Sequence, residues 1–360
     1  MSAGWRAILF SSTGNVNCGY KVFPVMFGTL RLILAFLVVA SHVEISHQLD
    51  LGGVAVTIFF LLSGYVMTAT VRRYYGRPAL YGRFILDRAM RIFPQYLFWT
   101  AACILWVVCV DRTWRPFGWQ EVAENIVLLP AMYGVFDLKP WLTGVRYVTQ
   151  AWSLSLEWHF YMALPWLLLI PKARTLAGWF SFGVFTLAAL NVISPYFYAY
   201  HLLPGVLFIF LLGSVAFDEI DGQGPVGVRL LGPWVALLVL GVAGNIRQTL
   251  HEAYTAEVFL GILVGLPLVL WLARRPARPW DDWLGNLSYG VFLCHNLVLA
   301  GIERTALFRG RWSLCLAATV VSMLLAWLSY LAVERPLIAW RHTLRRRTGL
   351  ATVIPPSESG

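Results

Sequence analysis

Arg31 and His42 stand eleven positions apart in an otherwise apolar run. In an α-helix eleven residues advance three turns plus about 20°, so both side chains share one face, about 16 Å apart along the axis. An arginine there offers a planar, permanently charged fork for a phosphate or carboxylate. A histidine can take the proton of a hydroxyl, or can itself be acylated and pass the group on. The plain alternatives are a snorkelling arginine and an interface histidine. The shared face weighs against both.

Glu157 lies in the segment Gln150-Ala-Trp152-Ser153-Leu-Ser-Leu-Glu157-Trp-His-Phe-Tyr161. A carboxylate inside an apolar span needs a partner. The expected partner is His42, with Glu157 orienting or stabilising the imidazole. Arg88 and Arg91 are three apart and share a helix face, just ahead of Pro94, which marks a helix start or a kink. Read plainly they are a positive flank; read chemically they are phosphate donors. His295 and Asn296 fall in the middle of a late apolar span, where polar groups must face protein or a cavity. Glu334-Arg335-Pro336 closes the last span. The five cysteines show no metal-ligand or CxxC spacing, so neither a metal site nor a disulfide is expected.

These residues need elements to hold them, and the composition indicates which. Hydrophobic residues make up 59% of the 360 and charged residues only 13%, against roughly 25% charged in a soluble domain. The apolar residues fall in runs that extend to about 20 residues, the length of a spanning helix. The chain reads as an all-α integral membrane protein, a bundle of about ten transmembrane helices near 24–44, 53–71, 92–110, 150–170, 179–197, 202–217, 230–246, 255–273, 285–303 and 313–333. The aromatic-rich connection 111–149 is expected to lie on the bilayer surface or fold back into it. No cleavable signal is evident in residues 1–20. Placing both termini in the cytoplasm puts most of the 28 lysines and arginines on the inner side. The net charge of +10 is then mainly a topology signal and does not call for nucleic acid. The basic inner surface would attract anionic membrane lipids or a polyanionic cofactor. The expected organisation is a cytoplasmic segment 1–23, one transmembrane domain 24–336, and a basic then disordered cytoplasmic tail 337–360.

Taken in order, these segments resemble the acyltransferase family 3 of membrane O-acyltransferases, from about Phe27 to Pro336. Arg31 and His42 match its Arg-x10-His signature. Phe59-Phe60-Leu-Leu-Ser63-Gly64-Tyr65 resembles its Phe-Phe-x-x-Ser-Gly element, and Arg88-Ala-Met-Arg91 its Arg-x-x-Arg motif. Trp152-Ser153-Leu-Ser-Leu-Glu157-Trp-His-Phe-Tyr161, Leu287-Ser288-Tyr289 with His295, and Glu334-Arg335-Pro336 match its later elements. Ala55-Val56 stands where the family often has Gly-Val. Some relatives carry an appended hydrolase-like domain, and this chain is expected to lack one.

The resemblance implies transfer of an acyl group, usually acetyl, from cytoplasmic acyl-CoA to a hydroxyl of a glycan or lipid-linked sugar at the outer face of a bacterial inner membrane. It implies His42 and Glu157 as catalytic residues and Arg31, Arg88 and Arg91 as the acyl-CoA grip. Ser63, Tyr65, Trp152, Ser153, Tyr161, Ser288, Tyr289 and His295 would form a supporting pocket, with no metal. A transporter or flippase is the rival reading, since intramembrane Arg, His and Glu also mark substrate pathways. The acceptor's identity, the acyl chain length and the oligomeric state are not legible in the sequence.

Overall fold

The computed structural model describes residues 26–46, 49–111, 118–129, 131, 133, 146–222, 232–233, 236–237, 239–241, 254–276, 278–305, 307–308 and 310–337. Its elements are helices: α1 (Gly28–His42), α2 (Leu51–Tyr74), α3 (Tyr81–Trp106), α4 (Trp119–Val127), α5 (Ala151–Leu169), α6 (Ala173–Ala189), α7 (Leu203–Ile220), α8 (Thr255–Leu272), α9 (Pro279–Thr305) and α10 (Arg311–Ser329). Among the described residues, six helical segments are long and apolar enough to cross a membrane: Leu51–Tyr74, Pro78–Val110, Tyr196–Ile220, Thr255–Leu272, Pro279–Thr305 and Arg311–Leu337. The chain is a multi-pass helical membrane protein. Among the described residues, six of the ten expected spans meet that measure. α1 is apolar but only 15 residues long, and α5 carries Ser, Glu and His through its middle. The expected span 230–246 falls largely outside the described residues, as do the N-terminal segment 1–23 and nearly all of the tail.

α2 is the central helix. Its long apolar run is buried nearly all round, packed against α1, α5, α7 and α8, as a helix without a polar face requires. Asp50 caps its start, accepting from the Gly52 N–H at 2.9 Å. Arg72 and Arg73 occupy its last turn, where cations complement the helix dipole. α2 and α7 cross backbone to backbone at Gly64 and Gly213. A Cβ on Gly64 would overlap the Phe210 carbonyl, and one on Gly213 would overlap that of Leu61. Small residues at such crossings let helices in lipid approach closely enough to gain packing energy.

α3 differs from the expected start near residue 92. It begins at Tyr81 and runs through Pro94, so Arg88 and Arg91 lie within a continuous helix rather than on a flank. Pro94 removes one backbone donor, and the helix carries on past it. Asp87 and Arg88 pair with each other inside the bundle, which lets the charged stretch be buried. Part of the 111–149 connection folds back onto this helix. The Tyr96 hydroxyl donates to the Asn125 carbonyl of α4 at 2.6 Å, and Tyr147 bonds Glu121.

Candidate active site

The start of α1 is tied to the start of α9. The backbone N–H groups of Gly28 and Thr29 donate to the Asp281 carboxylate at 2.8 and 2.7 Å, and the Thr29 hydroxyl donates at 2.6 Å. Asp281 is fully buried. It satisfies donors that a helix N-terminus leaves open and places negative charge where the dipole favours it. Arg31 is thereby held one turn further along. The sequence reading missed Asp281; its signal was an acidic pair, Asp281-Asp282, set at the very start of an apolar span.

Arg31 borders a cavity of about 180 Å³ inside the bundle. Arg88 and Arg91 from α3, Ser63 from α2, Ser153, Glu157 and Tyr161 from α5, and Ser288 and Tyr289 from α9 share its wall. The lining runs along α2 from Val56 to Met67, about 16 Å at 1.5 Å per residue. Nine residues expected from scattered motifs therefore meet in one elongated space.

Glu157 is the polar centre of its wall. It accepts from the Ser63 hydroxyl at 2.7 Å and from the Tyr161 hydroxyl at 2.5 Å. Those two bonds, from α2 and α5, account for the carboxylate partner that burial demands. Arg31 lies within electrostatic reach of Glu157, Tyr161, Asp281 and Asp282, yet makes no ion pair among the described residues. The other two arginines are paired. Arg88 grips Asp87, and Arg91 grips the buried Glu334 at the end of the chain's last span. Arg91 also lies over the Tyr289 ring, 5.7 Å from its centre. The Tyr289 hydroxyl donates to the Ile92 carbonyl at 2.9 Å, and the Ser288 hydroxyl to the Gly285 carbonyl at 2.7 Å.

The remaining expected site residues stand elsewhere. Tyr65 is buried between Phe27 and Phe217, with ring centres 5.3 and 5.4 Å away. Trp152 packs on Tyr200 and His201 at 4.9 and 4.4 Å. His42 is exposed at the C-terminal end of α1 and faces His295, with ring centres 5.0 Å apart. The fold thus brings Glu157 to the depth of Arg31 and brings His42 to His295. Phe59 and Phe292 line the cavity and lie 6.3 Å apart by ring centre. Phe292 in turn is 6.1 Å from His295. Beside this pair a polar knot joins α5 to α9: Asn296 donates to Thr149 at 2.6 Å and to the Gln150 side-chain oxygen at 2.9 Å, and Gln150 donates to the carbonyls of Phe292 and Leu293, both at 2.8 Å.

Chemically, the arrangement has cations and hydroxyls around a narrow space at one level and an accessible imidazole beyond an aromatic pair. Among the described residues no cluster of side chains suits a metal ion. Residues 27–331 match the acyltransferase domain family. The chain is 27% identical over 330 residues to nodulation protein 10 of Rhizobium leguminosarum bv. viciae, covering 81% of this chain and 84% of that one. It is 24% identical over 314 residues to the exopolysaccharide production protein ExoZ of Rhizobium meliloti, covering 85% and 95%. It is 23% identical over 354 residues to the putative peptidoglycan O-acetyltransferase YrhL of Bacillus subtilis, covering 86% of this chain and 54% of that longer one. No solved structure matches. With most of its length matched to the acyltransferase domain, and with nine residues of that resemblance gathered around one cavity, this chain belongs to acyltransferase family 3 and is an acyl-transfer enzyme.

Proposed function

We propose that this enzyme transfers an acyl group, acetyl in the first instance, from cytoplasmic acyl-CoA to a hydroxyl of a glycan or lipid-linked sugar at the outer face of the bacterial inner membrane. The observation that carries this reading is the cavity itself. An elongated space with Arg31, Arg88 and Arg91 on its wall suits a phosphate-bearing donor with a thin thioester arm. Arg31, without an ion pair among the described residues, is the guanidinium best placed to hold an anionic or carbonyl group of the donor. Arg88 and Arg91, paired with Asp87 and Glu334, add positive charge to the same wall. The polar cluster of Ser63, Glu157 and Tyr161 shapes the middle of the path. The arm then passes Phe59 and Phe292 to bring its thioester to His42.

There His42 takes the proton of the acceptor hydroxyl as the oxygen attacks the thioester carbon. The C–S bond breaks, and the sulfur leaves with the proton returned by the imidazolium. The relatives named for exopolysaccharide production and peptidoglycan O-acetylation support a glycan acceptor. The test is label transfer from radioactive acetyl-CoA to membrane glycans by the purified protein in lipid nanodiscs. Transfer is expected, and His42→Ala should lower it by about 10²–10⁴-fold, the usual cost of losing a general base. An unlabelled glycan fraction with the wild-type protein, or normal transfer by His42→Ala, would sink the reading.

A further inference from the structure

His295 is fully buried in α9. Its Nδ1 lies 2.7 Å from the Phe292 carbonyl and 3.3 Å from that of Val291. Carbonyl oxygens only accept, so Nδ1 carries the proton. Nε2 is then a bare lone pair, and among the described residues it has no hydrogen-bond partner. A buried acceptor left open is costly, and native interiors rarely leave one without a reason. The ring it faces is His42, 5.0 Å away between centres with the planes tilted by 42°. At that spacing a nitrogen of His42 turned toward Nε2 comes within hydrogen-bond distance of it. The surroundings hold His295 still. Gln150, just ahead of α5, donates to the same Phe292 carbonyl and to the neighbouring Leu293 carbonyl, while Asn296, the next residue, is tied to Thr149 and Gln150. The charged group within electrostatic reach of His42 is Asp50, at the start of α2. It is occupied by the Ser41 hydroxyl and the Gly52 N–H.

We propose that His295 is the positioning residue for His42. Its Nε2 accepts the His42 N–H, which fixes the His42 tautomer and turns the other, unprotonated nitrogen toward the acceptor hydroxyl. When that nitrogen takes the hydroxyl proton, the resulting imidazolium keeps its second N–H on His295. The proton then goes to the departing thiolate, and His295 neither gains nor loses a proton. This is the logic of a base held by a third group, with a neutral imidazole in the place usually given to a carboxylate. The proposal rests on His42 being the base.

The experiment compares His295→Leu, His295→Gln, His42→Ala and the double variant His42→Ala/His295→Leu, each in nanodiscs, for kcat, for KM toward acetyl-CoA, and for melting temperature. His295→Leu should lower kcat by tenfold or more with KM for acetyl-CoA within about twofold of wild type. His295→Gln keeps an acceptor oxygen and an N–H donor, and should recover a substantial part of the loss. The double variant should be no slower than His42→Ala alone, because residues acting as one unit are not additive. Should His295→Leu fail to fold, His295→Gln and its double variant with His42→Ala make the same comparison. Wild-type kcat in a folded His295→Leu or His295→Gln, or a loss that multiplies with that of His42→Ala, overturns the proposal while leaving His42 as the base. Normal transfer by His42→Ala would instead remove the underlying reading.

Discussion

At the scale of residues, the three cavity arginines carry different burdens. Arg88 and Arg91 each neutralise a buried carboxylate, Asp87 and Glu334, whereas Arg31 has no such task among the described residues. Removing one partner of a buried pair strands the other charge and typically costs about 3–5 kcal/mol. Arg91→Ala should therefore lower the melting temperature before anything else, and the double variant Arg91→Ala/Glu334→Gln should regain most of it. Arg31→Ala should melt normally and bind acetyl-CoA weakly. Arg31→Lys should restore binding only in part, because a point charge does not replace a planar fork. Calorimetric binding and thermal melts on the same preparations separate these outcomes. Equal melting losses at both positions, or undiminished donor binding by Arg31→Ala, would show that the distinction drawn from the ion pairs is wrong. Glu157 belongs to the same scale. Its bonds to Ser63 and Tyr161 are made by two donors that suit a carboxylate oxygen, so Glu157→Gln keeps the shape and weakens both. Transfer should fall, and a double variant with His42→Ala should show whether the two losses are separate. The fold sets Glu157 in the cavity and His42 against His295, so separate contributions are the expected result.

At the scale of elements, two devices set the geometry of the site. Asp281 pins α1 to α9 through three hydrogen bonds, and the Gly64–Gly213 crossing brings α7 against α2. Both fix side chains that line the cavity, Arg31 in the first case and Ser63, next to Gly64, in the second. Gly64→Val would drive its side chain into the Phe210 carbonyl. Overpacking of a close crossing typically costs about 1–3 kcal/mol, and here the obstacle is backbone. The variant should lose melting temperature and donor binding together. Gly82→Ala is the control, since nothing lies within 4 Å of a Cβ there, and it should behave as wild type. A stable, fully active Gly64→Val would mean that the two helices can separate without disturbing the site.

At the scale of the whole molecule, the donor and acceptor sides depend on orientation. The excess of basic residues in the segments assigned to the inner side motivates a cytoplasmic donor side. Single cysteines at Gly76 and Arg278, both exposed, should react with an impermeant maleimide only after the inner membrane is permeabilised. Those at Gly118 and Gly310, also exposed, should react in intact spheroplasts. The background must lack Cys109, which is itself exposed. The reverse pattern would invert the orientation and exchange the donor and acceptor sides. Phe292 also acts at this scale, because it lines the cavity that reaches Arg31 and lies 6.1 Å from the His295 ring.

The sequence by itself determined that the chain is helical and membrane-spanning, because long apolar runs have no other stable form in lipid. It also determined the chemistry-bearing residues, because a charged or hydroxyl side chain inside such a run is costly enough to stand out. The joint order of those residues was sufficient to identify the family. Helical periodicity correctly put Arg31 and His42 on one helix, about 16 Å apart. What it did not supply was depth and neighbourhood between helices. The sequence pairs Glu157 with His42, yet helix packing sets Glu157 at the level of Arg31, with Ser63 and Tyr161 as its partners. Arg88 read as a flank until its pairing with Asp87 showed how the charged turn of α3 is buried. The partners of Asp281 and the open Nε2 of His295 are not legible in the sequence for the same reason. Each owes its significance to a contact across more than two hundred residues of chain, with Gly28 and Thr29 in one case and His42 in the other. Periodicity acts within one helix. The partners of a buried polar group are chosen by which helices pack together, and only the tertiary structure decides that.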